Sequence, residues 1–482
     1  MAATTEVLLI GLALATIVAA ASTIPGVARV FLIAQAAFWS LSYLARPIVL
    51  LWVQPEPHFG DNVPDPRLAQ FGYDRGIALV LEHVVVGLWV YAGLVVAYAF
   101  WTRRHPPAAQ PALTNDPNFV PTLAAMYAVG LLGRAATVAT GSTGGAGDVE
   151  SANPILSFVA ILATIAALGL IIFVRPATTR LTVLIIGGLL LGELAWTAVV
   201  QSKTPIIGAA LALAIRFAIL GWTKRKAVSV AAIGVLGIAA FGWLQSLKQT
   251  EYAKAEAAVT DSGYPPIVQP FLSILRRFDL LEAATDAYYH GPGFWLTPAE
   301  TFRHATLSLI PGQLLGTSKF QSGTAWAQDV RGASVDMTKV SVSLAEGNLN
   351  EGYVVGGYPG VVVCAGFTFA LLLFWAKALY SRLFPVAVLG LALTGASALF
   401  ERGILGSMEN LGKFLQAAVL AWLISLLVRE YRRRAEPRYA PAPPAPPPAV
   451  SLSRPPPGHP VLVGAVTSQQ AVITEKKASP WD

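Results

Sequence analysis

The chain has 482 residues, of which 55% are hydrophobic and only 13% charged. Its mean hydropathy of +0.58 excludes a soluble globular protein and indicates one that crosses a membrane many times. The formal charge of +7 does not point to nucleic acid, because the Lys and Arg residues fall in short connections between apolar runs.

Apolar runs of about 20 residues, enough to cross about 30 Å of hydrocarbon, recur about eleven times. They lie near 5–23, 27–53, 76–101, 119–140, 155–174, 181–201, 205–222, 227–247, 353–376, 383–400 and 411–428. The first lacks the basic start of a signal peptide and reads as a retained helix. Arg103-Arg104-His105, Arg175 to Arg180, Lys224-Arg225-Lys226, Lys377 to Arg382 and Arg429 to Arg434 occupy every second connection. The positive-inside rule puts them all in the cytoplasm. The connections 54–75, 141–154, Gln201 to Thr204 and Glu401 to Asn410 then face outward; counting back puts the N-terminus outside, and a miscount of one in the first two runs puts it inside. The single cysteine, Cys364, lies inside an apolar run, so an intramolecular disulfide and a cysteine metal cluster are excluded.

Four regions follow: N-terminal transmembrane helices over 1–247, a large extracytoplasmic loop with short helices over 248–352, C-terminal transmembrane helices over 353–434, and a tail over 435–482. The fold class is all-α, a polytopic bundle of about eleven spans. The tail is rich in proline, as in Pro441 to Pro448 and Pro455-Pro456-Pro457. Such composition supports no packed core, which predicts a disordered cytoplasmic segment. Its functional reading is docking of a partner that binds extended Pro-rich chain; a plain solvated tail is the simpler one.

The loop is far longer than an ordinary helix connection. It carries Arg276, Arg277, Asp279, Asp286, His290, Arg303, His304, Lys319, Arg331, Glu346 and Glu351. Thr297-Pro298-Ala299-Glu300 has a capping hydroxyl, a proline at the first helical position and a carboxylate three residues after the cap. A helix is predicted from there to about Ile310, where Pro311-Gly312 ends it. Phe278 and Leu280 beside Arg276-Arg277 predict a second helix lying along the membrane face.

Charges inside apolar runs are costly and therefore informative. Arg46, Glu82, His83, Arg134, Glu193 and Arg216 all fall there. Arg46 and Arg134, toward the outer halves of their runs, are read as lining a cavity, against structural pairing such as Glu193 with an arginine. Arg216 is read as snorkelling at the cytoplasmic end. Trp39, Trp89, Trp101, Trp196, Trp222 and Trp243 are read as an interfacial belt.

The junction from Glu346 to Gly360, with Asn348, Asn350, Glu351 and Tyr353 before Gly356-Gly357, resembles the end of the large periplasmic loop in Wzy-type O-antigen and oligosaccharide repeat-unit polymerases. The resemblance extends to Arg277-Phe278-Asp279, to Leu309-Ile310-Pro311 followed by Lys319, to Ser202-Lys203-Thr204 and to Glu401-Arg402, over roughly residues 190–430. The chain departs from that family in its Pro-rich tail and in Pro311-Gly312, where Pro-Arg is expected.

The resemblance implies a GT-C-like fold in the bacterial plasma membrane, with the C-terminus in the cytoplasm. It implies glycosyl transfer between polyprenyl-diphosphate-linked oligosaccharides on the outer face, with membrane lipids and other envelope-assembly proteins as partners and no cofactor. A ligase that moves finished glycan to another acceptor, and a transporter of the lipid-linked sugar, are the alternatives. A diphosphate leaving group needs fixed cations, best supplied by arginine forks. Arg277, Arg303, Lys319, Arg331 and Arg402 are the candidates, joined by Arg46, Arg134, Lys203, Asn348, Asn350 and Tyr353 as substrate contacts. An acceptor hydroxyl needs a base, for which Glu351, Glu346 and Asp279 are the candidates. The loop has no His-x-x-x-His or Asp-x-Asp spacing, so no catalytic metal is expected.

Overall fold

The structure, a computed structural model, describes residues 2–57, 63–108, 110–141, 153–200, 202, 204–226, 228–230, 232, 261–316, 319–332 and 344–435. The compact unit is Met1–Arg433, and Arg434–Asp482 forms a separate unit. The predicted Pro-rich tail, beyond Ala435, lies outside the described residues, as does nearly all of the predicted span at 227–247.

Every regular element among the described residues is helical. Among the described residues, eight helices are long and apolar enough to cross a membrane, so the chain is a multi-pass membrane protein. We label them α1 (Ala2–Thr23), α2 (Ala28–Val53), α3 (Tyr73–Arg104), α4 (Phe119–Ala139), α5 (Pro154–Phe173), α6 (Thr179–Val200), α10 (Asn348–Ala378) and α12 (Ile404–Ala435). The runs predicted at 205–222 and 383–400 are shorter helices, α7 (Thr204–Leu220) and α11 (Phe384–Thr394), of 17 and 11 residues. Two helices of the loop complete the numbering, α8 (Leu280–His290) and α9 (Pro298–Ser308). Helix α9 carries the predicted capping box in full, with Thr297 and Glu300 each bonded to the other's backbone.

Small residues set how closely the helices pack, as in other membrane bundles. A Cβ built on Gly130 of α4 would lie 2.1 Å from the Ala163 nitrogen of α5, and one on Gly133 2.8 Å from the Ala160 nitrogen. The polar ends sort into two sets. At one end, Arg429 of α12 pairs with Asp116 at 3.2 Å and Arg432 bonds the Pro117 carbonyl and Asn118. At the other, Asp74 accepts from the backbone nitrogens of Ala2 and Ala3, so the N-terminus lies beside the start of α3.

Two predicted roles change. Arg216 does not snorkel: it is buried and donates to the carbonyls of Ile171 and Val174 at 2.8 Å, closing the end of α5. Trp39 is not interfacial but fully buried, with its ring edge-on to Tyr91 at 4.8 Å. The bundle has enough apolar partners at that level to enclose it.

Helix α10 is where the chain departs most from a simple span. Gly356 and Gly357 leave helical geometry, and Gly357 has φ of 60°, a conformation that favours glycine. The helix then folds back on itself. Leu349 and Val361 side-chain atoms both lie within 3 Å of where a Gly87 Cβ would sit, and the Asn348 amide donates to the Thr368 hydroxyl. Twenty residues of straight helix would hold those last two about 30 Å apart. Asn348–Val355 is therefore one arm of a helical hairpin, and the chain beyond Gly357 is the other. Gly352 and Gly360 form the contact: a Cβ on Gly360 would lie 2.0 Å from the Gly352 carbonyl oxygen. Gly360→Leu is expected to separate the arms, costing more than the roughly 1–3 kcal/mol of ordinary overpacking. Membrane abundance of the variant at the wild-type level would refute the hairpin contact.

The connection before α12 is also drawn inward. Phe400 accepts at its carbonyl from Gln35 Nε2 at 3.1 Å and packs against Phe38 and Trp375, with ring centroids 5.0 and 5.7 Å away. Glu401, predicted to begin an outward connection, is buried.

Candidate functional site

Helix α8 presents Asp279, Glu282, Asp286 and Tyr289 at spacings of three and four, which places them on one face. Three arginines from distant parts of the chain meet that face. Asp286 is fully buried and accepts from Arg67 Nη2 at 2.6 Å, Arg331 Nε at 2.8 Å and Trp326 Nε1 at 3.2 Å. Glu282 pairs with Arg331 at 2.9 Å and lies 3.9 Å from Arg46. Arg46 is buried and donates to the Val63 carbonyl at 3.0 Å. Asp65, which caps the short helix Pro66–Gln70, forks onto Arg67 through both oxygens at 2.6 to 3.2 Å.

This row of alternating charge is anchored below and open above. Arg67, Arg331 and Glu282 remain 27%, 20% and 21% exposed. Burial pushes the Asp279 carboxyl above the usual range, partly offset by Arg46 and Arg277. Burial raises Glu282 as well, against the pull of Arg331 and Arg46. Burial alone would lower the Arg331 guanidinium, but Asp286 and Glu282 hold it above its ordinary value. The carboxylates fix the guanidinium forks in place, leaving partly exposed cations suited to an anionic ligand.

A second polar group surrounds the α10 hairpin. Glu351 Oε1 accepts from the backbone nitrogens of Ile404 and Leu405 at 2.9 and 3.3 Å, so this carboxylate caps the start of α12. Glu346 pairs with Arg402 at 3.2 Å, and Arg402 also donates to the Leu344 carbonyl. Asn350 bonds Tyr43, the Leu280 and Glu346 carbonyls and His83 Nε2, at 3.1 to 3.2 Å. Glu346, Asn348, Asn350 and Glu351 are all buried, whereas Arg402 keeps 21% of its side chain exposed. The hairpin tip reaches the loop, with Gly293 donating to the Val354 carbonyl at 2.6 Å.

The structure brings Asp279, Arg46 and Arg331 together on the α8 face, with Arg277 exposed next to Asp279. It places Glu346, Glu351 and Arg402 in the hairpin group. Arg303 is exposed on α9, and Lys319 donates to the Ser308 carbonyl at 2.9 Å, away from both groups in its bonding. Tyr353 stacks on His83 at 4.5 Å. Lys203 lies outside the described residues. Arg134 takes the pairing role: it bonds Glu193 at 2.8 Å and Thr164 at 2.7 Å, and lies over the Trp196 ring. Beside that pair is a cavity of about 360 Å³, lined by Thr137, Thr164, Trp196, Ser202, Thr204 and Asn410 among apolar groups.

Sequence reasoning missed Arg67 and passed over Asp286 and Glu282 as site residues. The Asp65-Pro66 cap was a readable local signal for Arg67's helix, but its pairing with Asp286 spans 219 positions and has no local trace. Compared with known proteins, the chain matches no family model, no curated protein and no solved structure.

Proposed function

We propose that the protein is a glycosyltransferase of the bacterial plasma membrane that polymerises polyprenyl-diphosphate-linked oligosaccharide repeat units on the outer face. The basic end of the bundle then faces the cytoplasm, with the C-terminus, and the loop faces outward on a GT-C-like bundle of about eleven spans. The observation that carries this reading is the α8 face, where carboxylate-held arginines remain partly exposed beside Asp279.

In the reaction, an acceptor hydroxyl oxygen bonds to the donor's anomeric carbon while the bond from that carbon to the diphosphate oxygen breaks. The hydroxyl proton passes to Asp279, and polyprenyl diphosphate leaves against the arginines. Among the candidate bases Asp279 fits best, because Glu346 and Glu351 are buried in the hairpin group, whereas Asp279 is partly exposed and its raised pKa favours proton uptake. The cavity beside Ser202 and Thr204 supports accommodation of a lipid chain. Envelope-assembly proteins would meet the Pro-rich tail.

The broken helix of α10, with carboxylates buried around it, favours the transporter as a second reading, since transporters use discontinuous helices to bind substrate. The glycan made by cells lacking the protein separates the readings. Single repeat units on the outer face support a polymerase, unattached long chains a ligase, and lipid-linked units retained inside a transporter. Arg277→Lys should lower transfer about tenfold or more, because a point charge replaces a fork; normal polymer length at equal abundance removes it from the site.

A reporter fused after Gly312 should be active outside the cytoplasm and one after Arg225 inside. Cytoplasmic labelling of a cysteine placed at Gly312 would overturn this orientation.

A further inference from the structure

A row of aromatic rings leads away from the α8 face across the lobe formed by the loop segments 261–316 and 319–332. It begins at Trp326, which is buried and donates its indole N–H to Asp286. Trp295 stands perpendicular to Trp326 at 5.5 Å, Phe320 follows Trp295 at 6.3 Å, and His304 stacks on Phe320 at 4.4 Å. Trp295, Phe320 and His304 are each partly exposed. They are not free to turn into lipid at will: Trp295 is tied through its N–H to Asp329 Oδ2 at 3.2 Å, and His304 sits on the capped helix α9.

The surroundings decide what this row suits. Gln321, next to Phe320 in the chain, and Asp329, bonded to Trp295, are exposed and bring a planar amide and a carboxylate beside the rings, and Gln328 is exposed next to Asp329. A pyranose ring has one face of C–H bonds, carrying small positive charge, and an edge of hydroxyls. Aromatic faces attract the first through their negative quadrupole, and planar amides and carboxylates bond the second. A lipid surface calls for apolar side chains standing free, as in Phe294, Phe302 and Leu314, which are 78%, 72% and 76% exposed and have no polar group that could be tied as Trp295 is tied to Asp329.

We infer that Trp295, Phe320 and His304, with Gln321, Gln328 and Asp329, form a saccharide-binding track that holds several sugar units of a glycan chain beside the α8 site. The inference rests on the proposed transfer reaction for its role, though not for its chemistry. Continuity supports the placement: Trp326 and Arg331 belong to one short segment, so the track and the arginines share a support. Held on the track, the growing chain stays near the site between additions. Chain length then depends on the track, and a single addition does not.

The test uses full-length protein in its own cells and, purified, in phosphatidylethanolamine–phosphatidylglycerol nanodiscs. Phe320→Ala and Trp295→Ala should shorten the modal glycan length at least twofold, while formation of the two-repeat product stays within twofold of wild type. Trp295→Phe should restore length. In parallel, nanodisc protein should be retained on a column of surface polysaccharide extracted from the same cells, and Phe320→Ala should weaken that retention severalfold. Unchanged length and retention in Phe320→Ala, at normal abundance, overturns the track. Retention lost in Phe302→Ser and Leu314→Ser but kept in the ring variants also overturns it, and shows the lobe's membrane contact to be what matters. If cells lacking the protein still make normal polymer, the transfer reaction falls. Retention that depends on the rings then still establishes the saccharide site, and its absence removes that too.

Discussion

Asp286→Ala should destabilise the region around α8 by about 3–5 kcal/mol, the cost of removing one partner from a buried ion pair. Asp286 has no exposed surface, and Arg67, Arg331 and Trp326 all donate to it. Without the carboxylate, two guanidinium groups face each other across a cavity that gives neither a counter-charge on that side. Asp65 still holds Arg67 and Glu282 still holds Arg331, so the loss falls short of unfolding the bundle. Asp286→Asn keeps the shape and one accepting oxygen, and should fall between the alanine variant and wild type. Thermal midpoint by fluorescence-detected size exclusion, together with membrane abundance, reads the effect. An alanine variant matching wild type in both would mean that the arginines are positioned by something other than this carboxylate, and the α8 face would lose its claim to be preorganised.

The parts of the molecule legible in the sequence are those encoded within a few residues or by composition. The capping box at Thr297 and Glu300 needs only four consecutive positions, and it forms as predicted. Long apolar runs give themselves away by hydropathy, and eight of the predicted ones are helices of spanning length. The α10 hairpin was not legible. Glycines are common in ordinary membrane helices, so Gly356-Gly357 looks like a tolerated pair, and nothing local says that Gly352 and Gly360 will touch. Hydropathy set the start of the span at 353, whereas the helix begins at Asn348 because the polar arm is buried by the rest of the bundle. The α8 face failed for the same reason in a sharper form. Its carboxylates are on one helix and visible as a pattern, but their partners come from three separate parts of the chain: Arg46 from within α2, Arg67 from the connection after it and Arg331 from the long loop.

Glu351 is the residue for which geometry and motif lead to opposite experimental outcomes. As a base it would fail on conversion to glutamine, which cannot take a proton from a hydroxyl. The structure shows its Oε1 bonded to the Ile404 and Leu405 nitrogens, and its other oxygen set against Gly403, where an added Cβ would lie 1.9 Å away. That is a clamp between the hairpin and the start of α12, one turn from Arg402. Glutamine keeps an accepting oxygen of the same reach, so, if the proposed transfer reaction holds, Glu351→Gln should retain polymer synthesis within about threefold. Glu351→Ala leaves two helix-start N–H groups unsatisfied and opens a gap at Gly403; loss of the cap and of the packing together costs roughly 2–4 kcal/mol. Under the proposed reaction its membrane abundance and polymer yield should both fall, because the hairpin loses its tie to the start of α12. Gly403→Ala should copy that defect with the carboxylate still present, since its methyl group and Glu351 Oε2 cannot occupy the same space. A glutamine variant that accumulates unpolymerised repeat units at wild-type abundance, with Gly403→Ala active, would instead return Glu351 to the role of base and take Asp279 out of it.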